Sequence, residues 1–303
     1  MKKLLGLCTV AVLILTAAAA QASLVAPDIT IDELGIAAHK EGTINTLSGP
    51  GDYDWWYGCS PTSAGMVMGY YDARGYSNLV PGGNAENSTF GTGPYLANNA
   101  IASSGHINDF YSGLAPLVGY GLSGDDVAAP WHSFDCLADF MGTSQDAYEN
   151  PNGSTYFYLY SNGAPLTASQ IYGYGLSDFS GMYGIGEYIR YAGYDTSVLY
   201  NQYIDALGLD YGFTFAQYMA EIDAGRPVLI HVNGHSMYGY GYDSATTSVL
   251  LHDTWSLGEH SMTWGGSYGG LEHYGVTVLT IVPEPATICL LGIGVLSLIR
   301  RKR

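Results

Sequence analysis

Basic residues are scarce in this chain of 303 residues, which contains 10 lysines and arginines against 27 aspartates and glutamates. Only four basic residues lie between residues 23 and 282, and the same span holds 26 acidic residues, which gives it a formal charge of −22. So negative a surface repels nucleic acid and anionic lipid and keeps a protein soluble. The composition therefore excludes nucleic acid as a partner.

Cysteine is also rare, with four residues in the chain. Cys8 and Cys289 lie in terminal segments that we expect to be removed, so only Cys59 and Cys136 remain. A disulfide between these two is compatible with an oxidising compartment. Cys136 lies in a helix-like apolar run over residues 131–141, however, and this favours a buried free thiol. Cys59 is then left for chemistry.

Metal-binding motifs are absent, since the sequence contains neither HExxH nor CxxC. Several histidines are spread along the chain without the spacing of metal ligands, namely His106, His132, His260 and His273. Some aspartates lie in glycine-rich turns that could bind calcium, but without an EF-hand pattern, namely Asp52, Asp54, Asp125 and Asp126. The sequence therefore predicts no metal and no cofactor.

Residues 55–72 place a cysteine at the start of a predicted helix, in the stretch WWYGCSPTSAGMVMGYYD. Ser60 is predicted to be the N-cap and Pro61 to occupy the first helical position. A thiol at a helix N-terminus is near the positive end of the helix dipole, which lowers its pKa and favours the nucleophilic thiolate. The alternative is that Cys59 is a small buried core residue.

Residues 225–255 read as strands that bring a histidine and an aspartate together. His235 opens one strand and Asp253 closes the next, so an antiparallel hairpin makes them neighbours. A cysteine protease needs a low-pKa thiol, an imidazole that moves the proton, and a group that orients the imidazole. His231 competes for the role of the imidazole, but His235 is favoured because it follows Gly234 at a strand end. The alternative for Asp253 is that it only caps the turn before Trp255.

The segments GCSPTSAGMVMGYYD, GRPVLIHVNGHSMYGYGYD and LLHDTW together resemble the C39-like peptidase family within the papain-like cysteine peptidases. The resemblance spans about residues 50–282 and implies that Cys59 is the nucleophile, His235 the general acid/base and Asp253 the orienting residue. The family usually has a glutamine shortly before the cysteine that helps to form the oxyanion hole. Here Tyr53 stands six positions before Cys59, so the hole needs backbone N–H groups, including that of Cys59, or a tyrosine hydroxyl.

The order of predicted elements indicates an α+β fold. Helices are predicted within residues 95–111, 131–141, 181–192 and 213–224. Strands are predicted within residues 197–200, 228–232, 237–242, 248–252 and 275–281. This order matches the papain-like fold that the resemblance implies, with a helical half carrying the cysteine, an antiparallel sheet half carrying the histidine, and a cleft between them.

The two ends of the chain carry export signals. Residues 1–22 have two lysines, an apolar run and small residues before Ser23, which is typical of a signal peptide cleaved after Ala22. Residues 283–303 contain Pro-Glu-Pro, a short apolar segment and a basic end, and they resemble a PEP-CTERM sorting signal. That resemblance implies a transient membrane anchor, cleavage by an exosortase in a Gram-negative bacterium and delivery to the cell envelope or extracellular polysaccharide matrix. A plain membrane anchor is the alternative.

These features predict three segments: a signal peptide over 1–22, a C39-like peptidase domain over 23–282 and a sorting tail over 283–303. The predicted function is that of an exported cysteine peptidase acting on a peptide or protein substrate. One alternative is a thiol-dependent amidase or transferase on the same fold. Another is a catalytically weak protein that binds the polysaccharide matrix through tyrosine and tryptophan side chains stacked on sugars.

Overall fold

The computed structural model describes residues 23–24, 42–49, 51–82, 96–111, 132–150 and 153–283. The predicted signal peptide over 1–22 and the sorting tail after Pro283, including the apolar segment over 286–299, lie outside these residues. No helix in the described part of the chain has the length and apolar character needed to cross a membrane.

Eleven strands are present in the described residues, and nine of them form one antiparallel sheet. Their bounds are β1 Ser23–Leu24, β2 Ile44–Thr46, β3 Leu159–Tyr160, β4 Leu166–Thr167, β5 Tyr194–Tyr203, β6 Val228–Val232, β7 His235–Asp243, β8 Ser248–His252, β9 His260–Thr263, β10 Ser267–Tyr268 and β11 Leu271–Pro283. The main path of the sheet runs β4-β5-β11-β6-β7-β8-β9, while β2 pairs with β7 and β10 with β11. The two remaining strands, β1 and β3, pair in parallel.

Seven α-helices are described. Their bounds are α1 Cys59–Asp72, α2 Leu96–Ile101, α3 Ser104–Phe110, α4 Leu137–Phe140, α5 Ala168–Gly173, α6 Gly181–Tyr191 and α7 Phe215–Asp223. Helices α1 to α4 precede most of the sheet in the chain, and antiparallel pairing dominates the sheet. This arrangement confirms the predicted α+β class.

Helix α1 lies in the centre of the molecule, and every residue from Ser60 to Asp72 is buried. Both β7 and α2 pack against α1, so its burial is not confined to one face. Gly65 permits the close approach of α2, since a Cβ there would lie 2.4 Å from Cγ1 of Ile101. A centrally buried helix fixes the position of its first residue, Cys59, relative to the sheet.

Two predicted helices differ from the structure because polar side chains interrupt them. The helix predicted within 95–111 is divided into α2 and α3, since the Ser103 side chain accepts a hydrogen bond from the His106 N–H and starts a new helix. The helix predicted over 131–141 is reduced to α4. Residues before it are held in a turn, where the Asp139 carboxylate accepts the N–H of Asp135.

We expect Gly184→Ala to lower the free energy of unfolding by about 1–3 kcal/mol, because the added methyl group overpacks the contact between α6 and α4. A Cβ at Gly184 would lie 2.0 Å from the backbone oxygen of Phe140, so one of the helices must move. Urea unfolding measures the change. Gly173→Ala is the matched control, since a Cβ there meets no atom within 4 Å. Equal stability of the two variants would contradict this packing.

Candidate active site

The loop before Cys59 is held by contacts with the first turn of α1. The helix begins at Cys59 with Gly58 as its N-cap, so the predicted N-cap at Ser60 and first position at Pro61 are wrong. Gly58 has a φ of 148°, and a Cβ there would lie 2.8 Å from Cγ of Pro61. Thr62 anchors the loop, because its hydroxyl donates to the Gly58 oxygen over 2.6 Å and accepts the Trp56 N–H over 3.0 Å. Glycine is therefore required just before the cysteine.

The Cys59 thiol lies at the junction of α1 and β7 and is partly exposed. Burial alone would raise its pKa. The hydrogen bond and charge of the His235 ring and the backbone N–H of Ser236 outweigh burial and hold the pKa of Cys59 below its ordinary value. A thiol with a lowered pKa and partial exposure is the form that reacts as a nucleophile.

His235 is placed by the tight turn between β6 and β7. It pairs with Val232 across a two-residue loop that contains Gly234 with a φ of 78°. Its Nε2 lies 2.6 Å from the backbone oxygen of Asp253. A carbonyl oxygen only accepts, so Nε2 carries a hydrogen and Nδ1 faces the thiol. Burial lowers the pKa of His235, but its contacts with Cys59 and Asp253 more than compensate, and the pKa lies above its ordinary value.

Trp255 covers the imidazole of His235. The two rings stack with centroids 4.0 Å apart and planes inclined by 20°. An aromatic face on one side of the ring restricts its rotation and limits the access of water to it. No sequence motif marks Trp255 as a site residue, although its place two residues after Asp253 puts it on the same loop.

The carboxylate of Asp253 has partners other than His235. Its Oδ1 accepts the N–H groups of Trp255 and Ser256 over 2.9 and 3.0 Å, and its Oδ2 accepts the Tyr268 hydroxyl over 2.7 Å. The sequence predicted that the carboxylate of Asp253 orients the imidazole by accepting its ring N–H. The structure brings the backbone carbonyl of Asp253 to the imidazole, while the carboxylate caps the turn that carries Trp255.

His231 is a core histidine on β6, 1% exposed, and its ring lies 4.4 Å from that of Phe157. Burial, with a smaller effect of the charge of His273, lowers its pKa to about 3. Its Nδ1 lies 3.0 Å from Oγ of Ser236 and its Nε2 lies 2.8 Å from Oγ1 of Thr277. His231 is thus neutral and separated from the thiol by Ser236.

The hydrogen-bond chain through His231 has a direction. The amide nitrogen of Asn201 donates to a backbone oxygen, and its Oδ1 accepts from Thr277 over 2.6 Å. Thr277 has no second hydrogen, so it accepts from Nε2 of His231, whose Nδ1 then accepts from Ser236. The Ser236 hydroxyl lies 2.9 Å from that of Ser60, next to the thiol. This bond ties the start of α1 to β7.

Tyr53 does not reach the thiol. It is fully buried, and a Cβ built on Gly51 would lie 3.3 Å from both the Tyr53 hydroxyl and the backbone oxygen of Met66. Met66 is seven residues into α1, which is roughly 10 Å from Cys59 at a rise of 1.5 Å per residue. The tyrosine at the position of the usual family glutamine therefore contributes no hydroxyl to an oxyanion hole.

Two of the histidines that are scattered in the sequence come together in the structure. His106 and His132 lie on either side of Asp139, at 2.8 and 2.9 Å from its two oxygens. His252 is buried at the end of β8, with its ring 4.5 Å from that of Tyr240. Cys59 and Cys136 are both free, and Cys136 is buried as the sequence indicated. Asp125 and Asp126 lie outside the described residues.

Comparison with protein-family models assigns the chain. The Peptidase_C39 like family matches residues 43–268, and the PEP-CTERM protein-sorting motif matches residues 282–303. The first match covers most of the sequence, so the chain belongs to the Peptidase_C39 like family. Both resemblances found in the sequence are thereby confirmed. No curated protein and no solved structure matches the chain.

We expect Cys59 to be alkylated by iodoacetamide with a pH midpoint below the ordinary thiol value of about 8.5, because the contacts with His235 lower its pKa. His235→Gln should move the midpoint upward. Mass spectrometry of the modified chain against pH measures both. Cys136 is the internal control, since burial raises the pKa of its thiol and shields it from the reagent. A native midpoint at or above the ordinary value would contradict an activated thiol.

We expect Asp253→Asn to keep most of the alkylation rate of Cys59 at neutral pH, because an amide oxygen still accepts the N–H groups of Trp255 and Ser256. Asp253→Ala removes the cap and should lower the free energy of unfolding by about 1–3 kcal/mol and slow alkylation as well. Tyr268→Phe, which removes only one bond to the carboxylate, is the control. Equal losses of reactivity in the Asn and Ala variants at unchanged stability would show that the carboxylate itself acts on His235.

Proposed function

We propose that this protein is an exported cysteine peptidase in which Cys59 is the nucleophile, His235 the general acid/base and Asp253 the orienting residue. The contact between the Cys59 thiol and the His235 ring carries the proposal. It lowers the pKa of the thiol and raises that of the imidazole, so both shifts favour a thiolate–imidazolium pair at neutral pH. Membership of the Peptidase_C39 like family supports the same reaction class.

In the first step the Cys59 thiolate attacks the carbonyl carbon of a peptide bond, a C–S bond forms and the carbonyl electrons move to oxygen. His235 donates its Nδ1 proton to the leaving nitrogen, the C–N bond breaks and an acyl-enzyme remains. A water molecule then gives its proton to Nδ1 and attacks the acyl carbon. The C–S bond breaks, which restores the thiolate and the imidazolium.

The oxyanion formed in each step is stabilised by the start of α1. The N-cap residue Gly58 has no side chain to occupy the positive end of this helix, and in this proposal the N–H of Cys59 there donates to the developing charge. The missing family glutamine removes one donor, and such a loss costs roughly a hundred- to a thousandfold in rate. We therefore expect slower turnover than in an otherwise equal site with that glutamine.

Asp253 orients His235 in this proposal through its backbone carbonyl, which accepts the Nε2 hydrogen over 2.6 Å. The carboxylate acts indirectly, because it holds the turn on which that carbonyl and Trp255 lie. The division of the chain follows the papain-like arrangement, in which the thiol is on a helix and the imidazole on an antiparallel sheet. The substrate cleft then lies between α1 and the turn after β8.

The export route is also a proposal beyond the sorting motif itself. Residues 1–22 act as a cleaved signal peptide, and an exosortase removes the tail near Pro283 after recognising the PEP-CTERM motif. Pro283 is the last residue of β11, where it pairs with Tyr194, so the tail follows directly from the sheet. The acidic surface of the domain suits an exported protein that stays soluble in the envelope.

We expect the purified protein to cleave members of a peptide library, with Cys59→Ser and His235→Ala each abolishing turnover while circular dichroism remains native. His231→Ala should reduce turnover only modestly, because His231 contacts the site through Ser236. Product mass spectrometry measures the cleavage. Transfer of the acyl group to an amine instead of water would favour the transferase alternative. No Cys59-dependent product from any peptide or amide would favour the matrix-binding alternative.

A further inference from the structure

A second cluster of ionisable side chains lies away from Cys59, on α3 and around the start of α4. Its centre is Asp139, whose carboxylate is fully buried. One oxygen of Asp139 lies 2.8 Å from Nδ1 of His106, and the other lies 2.9 Å from Nε2 of His132. Asp135 and Asp109 complete the cluster on either side of His132, within 4.0 Å of its ring nitrogens.

Three of these side chains converge as metal ligands do. Nε2 of His132 and carboxylate oxygens of Asp135 and Asp139 all lie within 4.8 Å of one another. Tetrahedral zinc with bonds of about 2.0–2.2 Å separates its ligand atoms by roughly 3.3 Å. Nε2 of His132 lies 2.9 Å from Asp139 and 4.0 Å from Asp135, so an ion requires the first contact to open slightly and the side chain of Asp135 to move closer. Asp135 is 46% exposed and can rotate into place.

The groups behind these ligands match the surroundings of a metal site. A histidine that binds a metal usually donates its other ring N–H to a carboxylate, and ligating carboxylates are themselves hydrogen-bonded. Asp109 Oδ2 lies 2.6 Å from Nδ1 of His132, on the far side of the ring from the converging atoms. His106 holds the far oxygen of Asp139. Both ligands are thereby fixed in orientation before any ion binds.

The charge of the cluster favours a cation. Asp109, Asp135 and Asp139 bring three carboxylates together, and Asp139 is removed from water. The basic side chains that could offset them are few, and those in the described residues have other contacts. Arg74 donates to the oxygens of Tyr70 and Ser48, Arg190 lies over the ring of Tyr183, and Arg226 pairs with Glu221. Both ring nitrogens of His132 lie against carboxylate oxygens, so a protonated His132 offsets one of the three negative charges without the ion. A divalent ion that replaces the Nε2 proton would offset two of them.

We propose that His132, Asp135 and Asp139 bind a structural divalent metal ion of the zinc class, with a water molecule at the fourth position. Mixed imidazole and carboxylate ligands suit zinc among the available ions. The ion joins α3, through Asp109 and His106, to the start of α4. Tyr111 directly follows α3 and donates to the oxygen of Tyr57 over 2.9 Å, so the same region supports the loop before Cys59.

The experiment uses the full chain with Cys59→Ser, since a thiol beside His235 would itself bind zinc. The metal-free protein is titrated with Zn²⁺ by calorimetry and with Co²⁺ by absorption spectroscopy, and thermal unfolding is followed with and without Zn²⁺. We expect one equivalent bound per chain and a higher Tm with the ion. Absence of binding, or binding without any rise in Tm, would overturn a structural metal site.

Variants locate the ion. Adding Asp135→Asn or His132→Gln should weaken binding by about tenfold or more, since each removes a ligand. Asp135 is half-exposed, so its variant keeps the fold testable even where His132→Gln does not fold. Asp210→Asn, at an exposed position, is the charge-matched control and should bind as the parent does. Unchanged affinity in the Asp135 variant would overturn the assignment.

The structure also offers a rival ligand set that shares Asp139, formed with His106 and Cys136. A thiolate ligand would give an intense cobalt charge-transfer band in the near ultraviolet, and Cys136→Ser would remove it. We expect no such band and an unchanged affinity in the Cys136 variant. Observation of the band would overturn the proposed ligands. Because every protein in the series lacks the Cys59 thiol, the outcome does not depend on the peptidase proposal.

Discussion

The attachment of the first turn of α1 to the first residues of β7 governs the geometry of the site. Three groups of Ser236 contact this turn. Its backbone oxygen accepts from the Ser63 hydroxyl over 2.8 Å, and its hydroxyl forms a hydrogen bond with the Ser60 hydroxyl. The backbone N–H of Ser236 donates to the Cys59 sulfur. Ser236, the residue directly after His235, thus forms three hydrogen bonds with the helix that carries the thiol. The distance between the Cys59 thiol and the His235 imidazole is therefore set by buried hydrogen bonds, which are costly to break.

Two separate sets of contacts position the His235 imidazole and the start of α1. On one side the turn after β8 supplies a backbone carbonyl for Nε2 and the Trp255 ring, and the Asp253 carboxylate keeps that turn closed. In the second set, the neutral His231 continues a buried chain of hydrogen bonds from Ser236 into the sheet. The contacts of the turn after β8 determine the tautomer of His235, while the chain through His231 holds the start of α1. His231 is thus close in sequence to the site but acts in packing.

The proposed metal site would offset the negative charge of carboxylates in a domain that has few basic side chains. A chain with few lysines and arginines must offset buried carboxylates in another way, and around Asp139 it uses histidines. This cluster lies on the same half of the molecule as the loop that precedes Cys59, and Tyr111 connects the two. The proposed catalytic residues and the proposed metal ligands are therefore separate groups of titratable side chains, connected through the loop before Cys59.

The sequence by itself determined the family, the α+β class, the helix start near Cys59 and the strand start at His235. These depend on local signals: a glycine and cysteine before an apolar helix, a glycine turn before a histidine, and alternating strands. It could not determine which atom of Asp253 faces the imidazole, since side-chain caps and backbone carbonyls are equivalent in a sequence pattern. It also missed the convergence of His106 and His132 on Asp139, because their spacing of 26 residues follows no ligand motif. Only the tertiary contact of α3 with the start of α4 brings them together. Because Asp139 is buried, its carboxylate needs these partners.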